Sequence, residues 1–298
     1  MSEMRSGGLH HKAEELAAGL PPLLIAAERV AATVSQGVHG RRRVGQGETF
    51  WQFRRYQTGD SAADIDWRQS AKSQPVYVRE NEWEAAQSVW LWRDVSPSMA
   101  YRSSNNLPTK SDRADILLLA LASLLVRGGE RMSLLGSGRP PATGRAVLTR
   151  MAQTIESTSL QEERPADSLP PFELLPRHGR LVLFGDFLSP LMETKAALDP
   201  YVGRGLTGHL VQILDPAEET LPFDGRVQFQ GPEREGDVLI GKVEAVRADY
   251  IAALSRHRDG LAAMARGAGW TFTTHHTDHA PESILLSLFL ALTQGRSW

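Results

Sequence analysis

From residue 87 onward, short apolar runs alternate with stretches of helical periodicity, and that alternation restricts the chain to one class of fold. Residues 89–92, 132–135, 181–184, 209–214 and 270–274 lack Asp, Glu, Lys and Arg, and they are short enough to be strands rather than helices. Between them, residues 112–127 set Ile116, Leu117, Leu119, Ala120, Leu124 and Leu125 on a wide apolar face, and residues 145–156 read as a second helix. A long helix follows residue 242 with Val243, Val246, Tyr250, Leu254, Leu261 and Met264 along one stripe, and residues 284–292 form the last helix. Strands that take turns with helices pair in parallel, because a parallel connection must cross back over the sheet, and strands with no polar face are buried on both sides. Residues 87–298 are therefore expected to form an α/β domain, a mostly parallel Rossmann-type sheet with helices on both faces.

The remainder divides in two. Residues 1–36 are expected to be an N-terminal helical segment: Leu16, Leu20, Leu23, Leu24, Ala27 and Val30 recur at helical spacing, with Pro21 and Pro22 breaking the run into two pieces. Residues 37–86 open on a turn-rich basic stretch (Gly37, Gly40, Arg41, Arg42, Arg43, Gly45, Gly47) and continue into short aromatic segments at 50–53 and 76–78, which reads as a small β-rich subdomain. Within the α/β domain, residues 226–230 and 237–240 flank Gly231, Pro232 and Gly236 and read as a hairpin inserted at about 224–241.

Composition narrows the function classes. A net charge of −2 offers no field for polyanions, so nucleic acid is not expected as a partner, and Arg41–Arg43 beside Trp51 and Phe53 read as a solvated turn on a packed subdomain. The chain has no cysteine, which removes disulfides, thiolate metal sites and thiol nucleophiles. Residues 116–126 and 284–292, the longest uncharged apolar runs, fall short of the roughly 20 residues that span a bilayer. Glu14, Glu15, Glu28 and Arg29 interrupt the N-terminal region, so neither secretion nor membrane insertion is expected and the expected location is the cytoplasm.

Two carboxylates, Asp94 and Asp186, each stand immediately after a strongly apolar strand. In open α/β sheets the carboxyl ends of the strands at the topological switch point form the ligand crevice, so two such strands side by side direct both aspartates into it. Ser96 and Ser98 add hydroxyl oxygens at alternate positions. Oxygen donors of this kind suit Mg²⁺ or Mn²⁺, and the competing reading is that Asp94 and Ser96 cap the next helix. D-x-S-x-S alone is a weak signal, and its strand-end position strengthens it.

The segments Gly45-x-Gly47-Glu48-Thr49-Phe50, Arg55-Tyr56-x-x-Gly59-Asp60, Ile65-Asp66-Trp67-Arg68-x-Ser70-Ala71, Val78-Arg79-Glu80 and Asp94–Met99 resemble the bacterial domain of unknown function 58 family. The match is dense over residues 37–99 and looser beyond, where 180–188 looks like the family's second aspartate strand. The resemblance implies a von Willebrand factor A-like domain carrying a metal-ion-dependent adhesion site, with Asp94, Ser96, Ser98 and Asp186 as ligands. Such sites usually take a Thr from a loop between the two aspartate strands; Thr158, Thr154 and Thr143 compete, and Thr158 is favoured because it follows a helix and opens the long loop. The chain departs from the family at Ala63-Asp64, where basic residues are common, and the role of Asp60, Asp64 and Asp66 reads as structural.

Other motifs fail on context. Gly203-x-Gly205-x-x-Gly208 follows a helix and enters a strand, the reverse of a dinucleotide loop, and Gly236–Lys242 has P-loop spacing but Val243 where Mg²⁺ needs a hydroxyl. His275, His276, Asp278 and His279 read as a strand end and helix cap rather than zinc ligands. The expected function is a non-enzymatic, metal-dependent protein-binding adaptor, completed by an acidic residue of a partner. By resemblance that partner is a MoxR-type AAA+ ATPase or its client. The alternatives are a Mg²⁺-dependent hydrolase using the same site and a metal-free scaffold.

Overall fold

The structure is a computed structural model that describes residues 21–39, 50–56, 65–72, 75–81, 87–159, 168–231 and 236–294. The chain divides into two compact units, residues 38–86 and the remainder. In the smaller unit, β1 (Phe50–Arg55) pairs antiparallel with β2 (Tyr77–Asn81), with an irregularity between Phe50 and Gln52. A single helical turn, α2 (Trp67–Ser70), is fastened to it: the Ser70 hydroxyl donates to Asp66 O and accepts from Tyr77 N at 2.9 Å. Asp60, Asp64 and Arg41–Arg43 lie outside the described residues.

The larger unit includes α1 (Pro22–His39) up to Gly37 and an entirely parallel five-stranded sheet. Its strands are β3 (Ser88–Arg93), β4 (Arg131–Leu134), β5 (Arg180–Gly185), β6 (Thr207–Leu214) and β9 (Thr271–His276), in the order β4-β3-β5-β6-β9. The helices between them are α3 (Lys110–Arg127), α4 (Arg145–Ser159), α5 (Leu191–Gly203), the short α6 (Pro216–Thr220), α7 (Val243–Gly267) and α8 (Pro281–Gln294). The hairpin β7 (Val227–Gly231) and β8 (Gly236–Ile240) forms its own two-stranded sheet. At the β4 edge, Met132 exchanges two backbone hydrogen bonds with Ala142, an antiparallel bridge that closes part of that edge.

Strand alternation sends the two sets of side chains into two cores. Trp90, Trp92, Leu181, Leu183 and Leu210 pack with Leu198 and Tyr201 of α5, Leu261 and Ala265 of α7, and Trp270. Val89, Leu91, Val182, Phe184, Val211 and Ile213 are buried on the other face, where α3 lies against β3, β4, β5 and β6 and is flanked by α4 and α8. Glycine is required where rings cross strands: a Cβ on Gly208 meets the Trp270 ring at 2.0 Å, and one on Gly179 meets Trp90 at 2.6 Å.

The α/β class, the parallel sheet, the N-terminal helix and the small β pair are those expected from the sequence. The differences have local causes. The helix α1 continues past residue 36 to His39, and β9 continues to His276. The short α2 and α6 are too brief to show a period; α6 is started by a capping box, Asp215 with Glu218, and by Pro216 in its first turn. Residues 12–20 of the expected lead-in lie outside the described residues. No helix among the described residues is long and apolar enough to cross a membrane.

His209 at the start of β6 gives this core a pH dependence. Burial, with Arg180 nearby, lowers its pKa to about 4, and its Nδ1 lies 2.7 Å from Thr271 Oγ1. The unfolded chain therefore binds a proton at higher pH than the folded chain, and stability falls as pH drops from the unfolded value near 6.5 towards 4. We expect the stability difference between wild type and His209→Gln to shrink by about 1.4 kcal/mol per pH unit across that window. Denaturation at pH 7.5, 5.5 and 4.5 checks this, and a constant difference would refute it.

Candidate functional site

The strand order reverses direction between β3 and β5: from β3 the chain crosses to β4 on one side, and from β5 it proceeds to β6 on the other. The carboxyl ends of β3 and β5 therefore border the switch-point crevice. Asp94 N donates to Phe184 O at 2.7 Å, continuing the ladder past β3, and Asp186 follows β5 directly. A Cβ on Gly185 falls 3.0 Å from Asp94 Cβ and 3.3 Å from Asp94 Oδ2, so the bare glycine admits the Asp94 side chain beside the end of β5. Asp186 precedes Phe187, a buried residue with φ of 50°; this left-handed backbone at a bulky side chain sits where the chain turns out of the strand. The Asp186 carbonyl accepts from the buried Gln212 Nε2 at 2.9 Å, and Phe187 O is 2.7 Å from His257 Nε2, so the turn is held from β6 and α7.

Four of the five residues singled out in the sequence meet here. Asp94 Oδ1 accepts from Ser96 N at 2.8 Å, which orients the start of the 3₁₀ turn Pro97–Ala100. Ser96 Oγ lies 3.0 Å from Ser98 Oγ, and Ser98 Oγ donates to Asp186 Oδ2 at 2.7 Å. Asp94, Ser96 and Asp186 are buried, while Ser98 is half-buried. Of the capping alternative, Ser96 at the cap position makes no side-chain cap bond, while Asp94 does hold the start of the turn through Ser96 N.

Thr158 is placed differently. It stands in the last turn of α4, exposed, with its hydroxyl donating to Thr154 O at 2.8 Å, and Thr154 donates in turn to Arg150 O. Side chains of this type in a helix satisfy themselves on the preceding turn. That end of the helix is nonetheless fixed near β3, because Arg93 Nη2 donates to Ile155 O and Ser159 Oγ. Arg93 also pairs with Asp115 at 2.9 Å, and burial, against the pull of Arg93, raises Asp115 to a pKa of about 7.

A cation that the sequence reading did not pick out completes the cluster. Lys110, the first residue of α3, is fully buried, with Nζ 3.0 Å from Asp186 Oδ2 and 2.6 Å from Glu218 Oε1. Burial opposes its charge, but Asp186 and Glu218 more than offset it and hold the lysine above its ordinary pKa. Glu218 Oε2 is taken by Asp215 N at 2.8 Å, and buried Asp215 accepts from Ala217 N and Ser103 N. Asp215 follows the apolar strand β6 just as Asp94 and Asp186 follow theirs, and the capping pair Thr109 and Asp112 fixes where α3 begins. Those two patterns are the sequence signals that point to Lys110 and Glu218.

Around the buried polar cluster Val95, Tyr101 and Leu188 are exposed, and Leu188 N donates to Asp186 Oδ1 at 3.3 Å. Among the described residues no three His, Cys, Asp or Glu side chains gather with metal-holding geometry, so the oxygens converging at this site come from two aspartates and two serines. A cavity of about 520 Å³ between α5 and α7, lined by Leu191, Met192, Val202 and Trp270, has none of the site residues in its wall. His276 pairs with Glu219, which also holds Arg258.

The family model described as "Protein of unknown function DUF58" matches residues 52–260. An uncharacterised protein of Mycobacterium bovis and uncharacterised proteins of two Mycobacterium tuberculosis strains are each 28% identical over 279 residues, covering 89% of this chain and 86% of theirs. Among solved structures, the conserved hypothetical protein BatB from Bacteroides thetaiotaomicron is similar at 15% identity and a TM-score of 0.40, over 71% of this chain and 100% of that one.

Proposed function

The chain belongs to the DUF58 family, and on that footing we propose that it is a protein-binding module whose recognition point is a divalent metal ion held by Asp94, Ser96, Ser98 and Asp186. The observation that carries this reading is that hydroxyl and carboxylate oxygens of Ser96, Ser98 and Asp186 converge beside Asp94 at the carboxyl ends of β3 and β5. Neighbouring ligands of an octahedral Mg²⁺ with bonds of 2.0–2.1 Å lie roughly 2.8–3.0 Å apart. Ser96 Oγ and Ser98 Oγ are 3.0 Å apart, and Ser98 Oγ and Asp186 Oδ2 are 2.7 Å apart. Hydroxyl and carboxylate oxygens are also the donors that hard cations prefer. Bound there, Mg²⁺ or Mn²⁺ supplies an electrophilic position that a partner's Asp or Glu completes.

The protein's own residues supply the rest of a docking surface. Val95, Tyr101 and Leu188 offer apolar contact around a polar centre, an arrangement suited to excluding water from a charged contact. Binding is favoured over hydrolysis because Glu218, the carboxylate nearest to serving as a general base, has one oxygen on Lys110 and the other on Asp215 N. The partner class is a MoxR-type AAA+ ATPase or a client of one, by analogy within the family, and the chain's lack of cysteine suits the reducing cytoplasm where such an adaptor would work.

Immobilised wild type and Asp94→Ala, each in Mg²⁺ and in EDTA, test this against bacterial lysate and a purified MoxR-type ATPase. Capture of the ATPase or of a defined client should fall at least about tenfold on chelation and on substitution, as expected when one central contact dominates an interface. Binding indifferent to both changes refutes the metal bridge.

A further inference from the structure

Lys110 sits where local preference disfavours it. A cation in the first turn of a helix faces the positive end of the helix dipole, and lysine is almost never fully buried without partners. The cap does not need it, because Thr109 and Asp112 already satisfy one another and the backbone. What calls for a cation is the pair of carboxylates it meets: Lys110 is bonded to Asp186 and to Glu218, and among the described residues no other charge offsets the two. Its ammonium and the Ser98 hydroxyl both donate to Asp186 Oδ2. That one oxygen thus already serves two donors before any ion from solution competes for it.

We propose that Lys110 is a tethered counter-cation that shares Asp186 with the divalent ion and sets the affinity of the site. This rests on the metal reading above and adds its regulation. A divalent ion drawing on Asp186 Oδ2, directly or through water, must compete with the Lys110 ammonium and bears repulsion from it. Glu218 is the place to which the ammonium retreats, since Lys110 is bonded to both carboxylates from one position. Divalent affinity is therefore deliberately weak, and it tightens when the lysine charge is removed.

The test is calorimetric titration of Mg²⁺ and Mn²⁺ into the chelator-treated 298-residue chain, with melting temperature as a second readout. Lys110→Gln, which keeps a donor without the charge, should bind either ion on the order of 10- to 100-fold more tightly than wild type. Lys110→Arg should stay near wild type. Glu218→Gln should weaken binding, since it leaves the ammonium on Asp186 alone. Should Lys110→Gln not fold, Glu218→Gln decides the matter by the direction of its change. Measurable binding with the same constant in wild type, Lys110→Gln and Glu218→Gln overturns the tethered cation while leaving the metal reading standing. No binding in wild type, Lys110→Gln or Lys110→Arg overturns both.

Discussion

Asp186→Ala is expected to lower the free energy of unfolding by about 3 kcal/mol, because it removes one of two anions from a buried ammonium and leaves the Ser98 hydroxyl without its acceptor. Breaking a buried ion pair from one side is costly chiefly through the charge left behind, so the effect should depend on Lys110. In Asp186→Ala/Lys110→Met the stranded charge is gone, and the double variant should be more stable than the sum of the single losses by at least about 1 kcal/mol. Urea denaturation with an unchanged slope measures both. Strict additivity would mean that the pair is not coupled and that Asp186 acts by packing alone.

Lys110 also shows where the sequence stopped being informative. Asp94, Ser96, Ser98 and Asp186 were legible because each follows an apolar strand at a fixed offset, and an unbroken apolar run that stops at a carboxylate makes the strand end readable from hydropathy. The sheet was legible for the same reason: Leu181 to Phe184 has no polar face, so a buried parallel strand was the natural outcome. Lys110 and Glu218 lie 108 positions apart and meet only through the tertiary fold. A lysine opening a helix reads as a solvated charge until the fold surrounds it. Thr158 illustrates the opposite failure: it reads as a residue that follows a helix, but α4 runs on to Ser159 and its last turn absorbs the Thr158 hydroxyl. Trp270 was expected inside the last strand and instead precedes it, its indole nitrogen donating to Leu206 O at 2.8 Å.

That indole underlies the second large effect. Gly208→Ala should cost about 3 kcal/mol, at the upper end of what over-packing usually costs, because its methyl falls 2.0 Å from the Trp270 ring and the nearest atoms are rigid aromatic carbons rather than a flexible side-chain tip. The ring has little room to retreat, being held by its bond to Leu206 O and buried among Leu206, Leu210 and Ala265. Trp270→Leu in the same background should restore part of the loss, since a smaller side chain admits the methyl. Melting temperatures of wild type and the two variants decide it: Gly208→Ala within about 0.5 kcal/mol of wild type, the range of an ordinary surface substitution, would mean that β6 shifts freely past the ring.

Lys110 is joined to the main chain by four methylenes, and that has a consequence for how the domain comes by its shape. An ion from solution can be diluted, stripped by a chelator or replaced by a competitor, whereas an ammonium carried on α3 arrives with the polypeptide at a fixed stoichiometry of one. The ends of β3 and β5 can thus come together during synthesis whatever the local supply of magnesium. On the proposed metal reading, folding and loading are separate events, the first self-sufficient and the second left free to report on the surroundings.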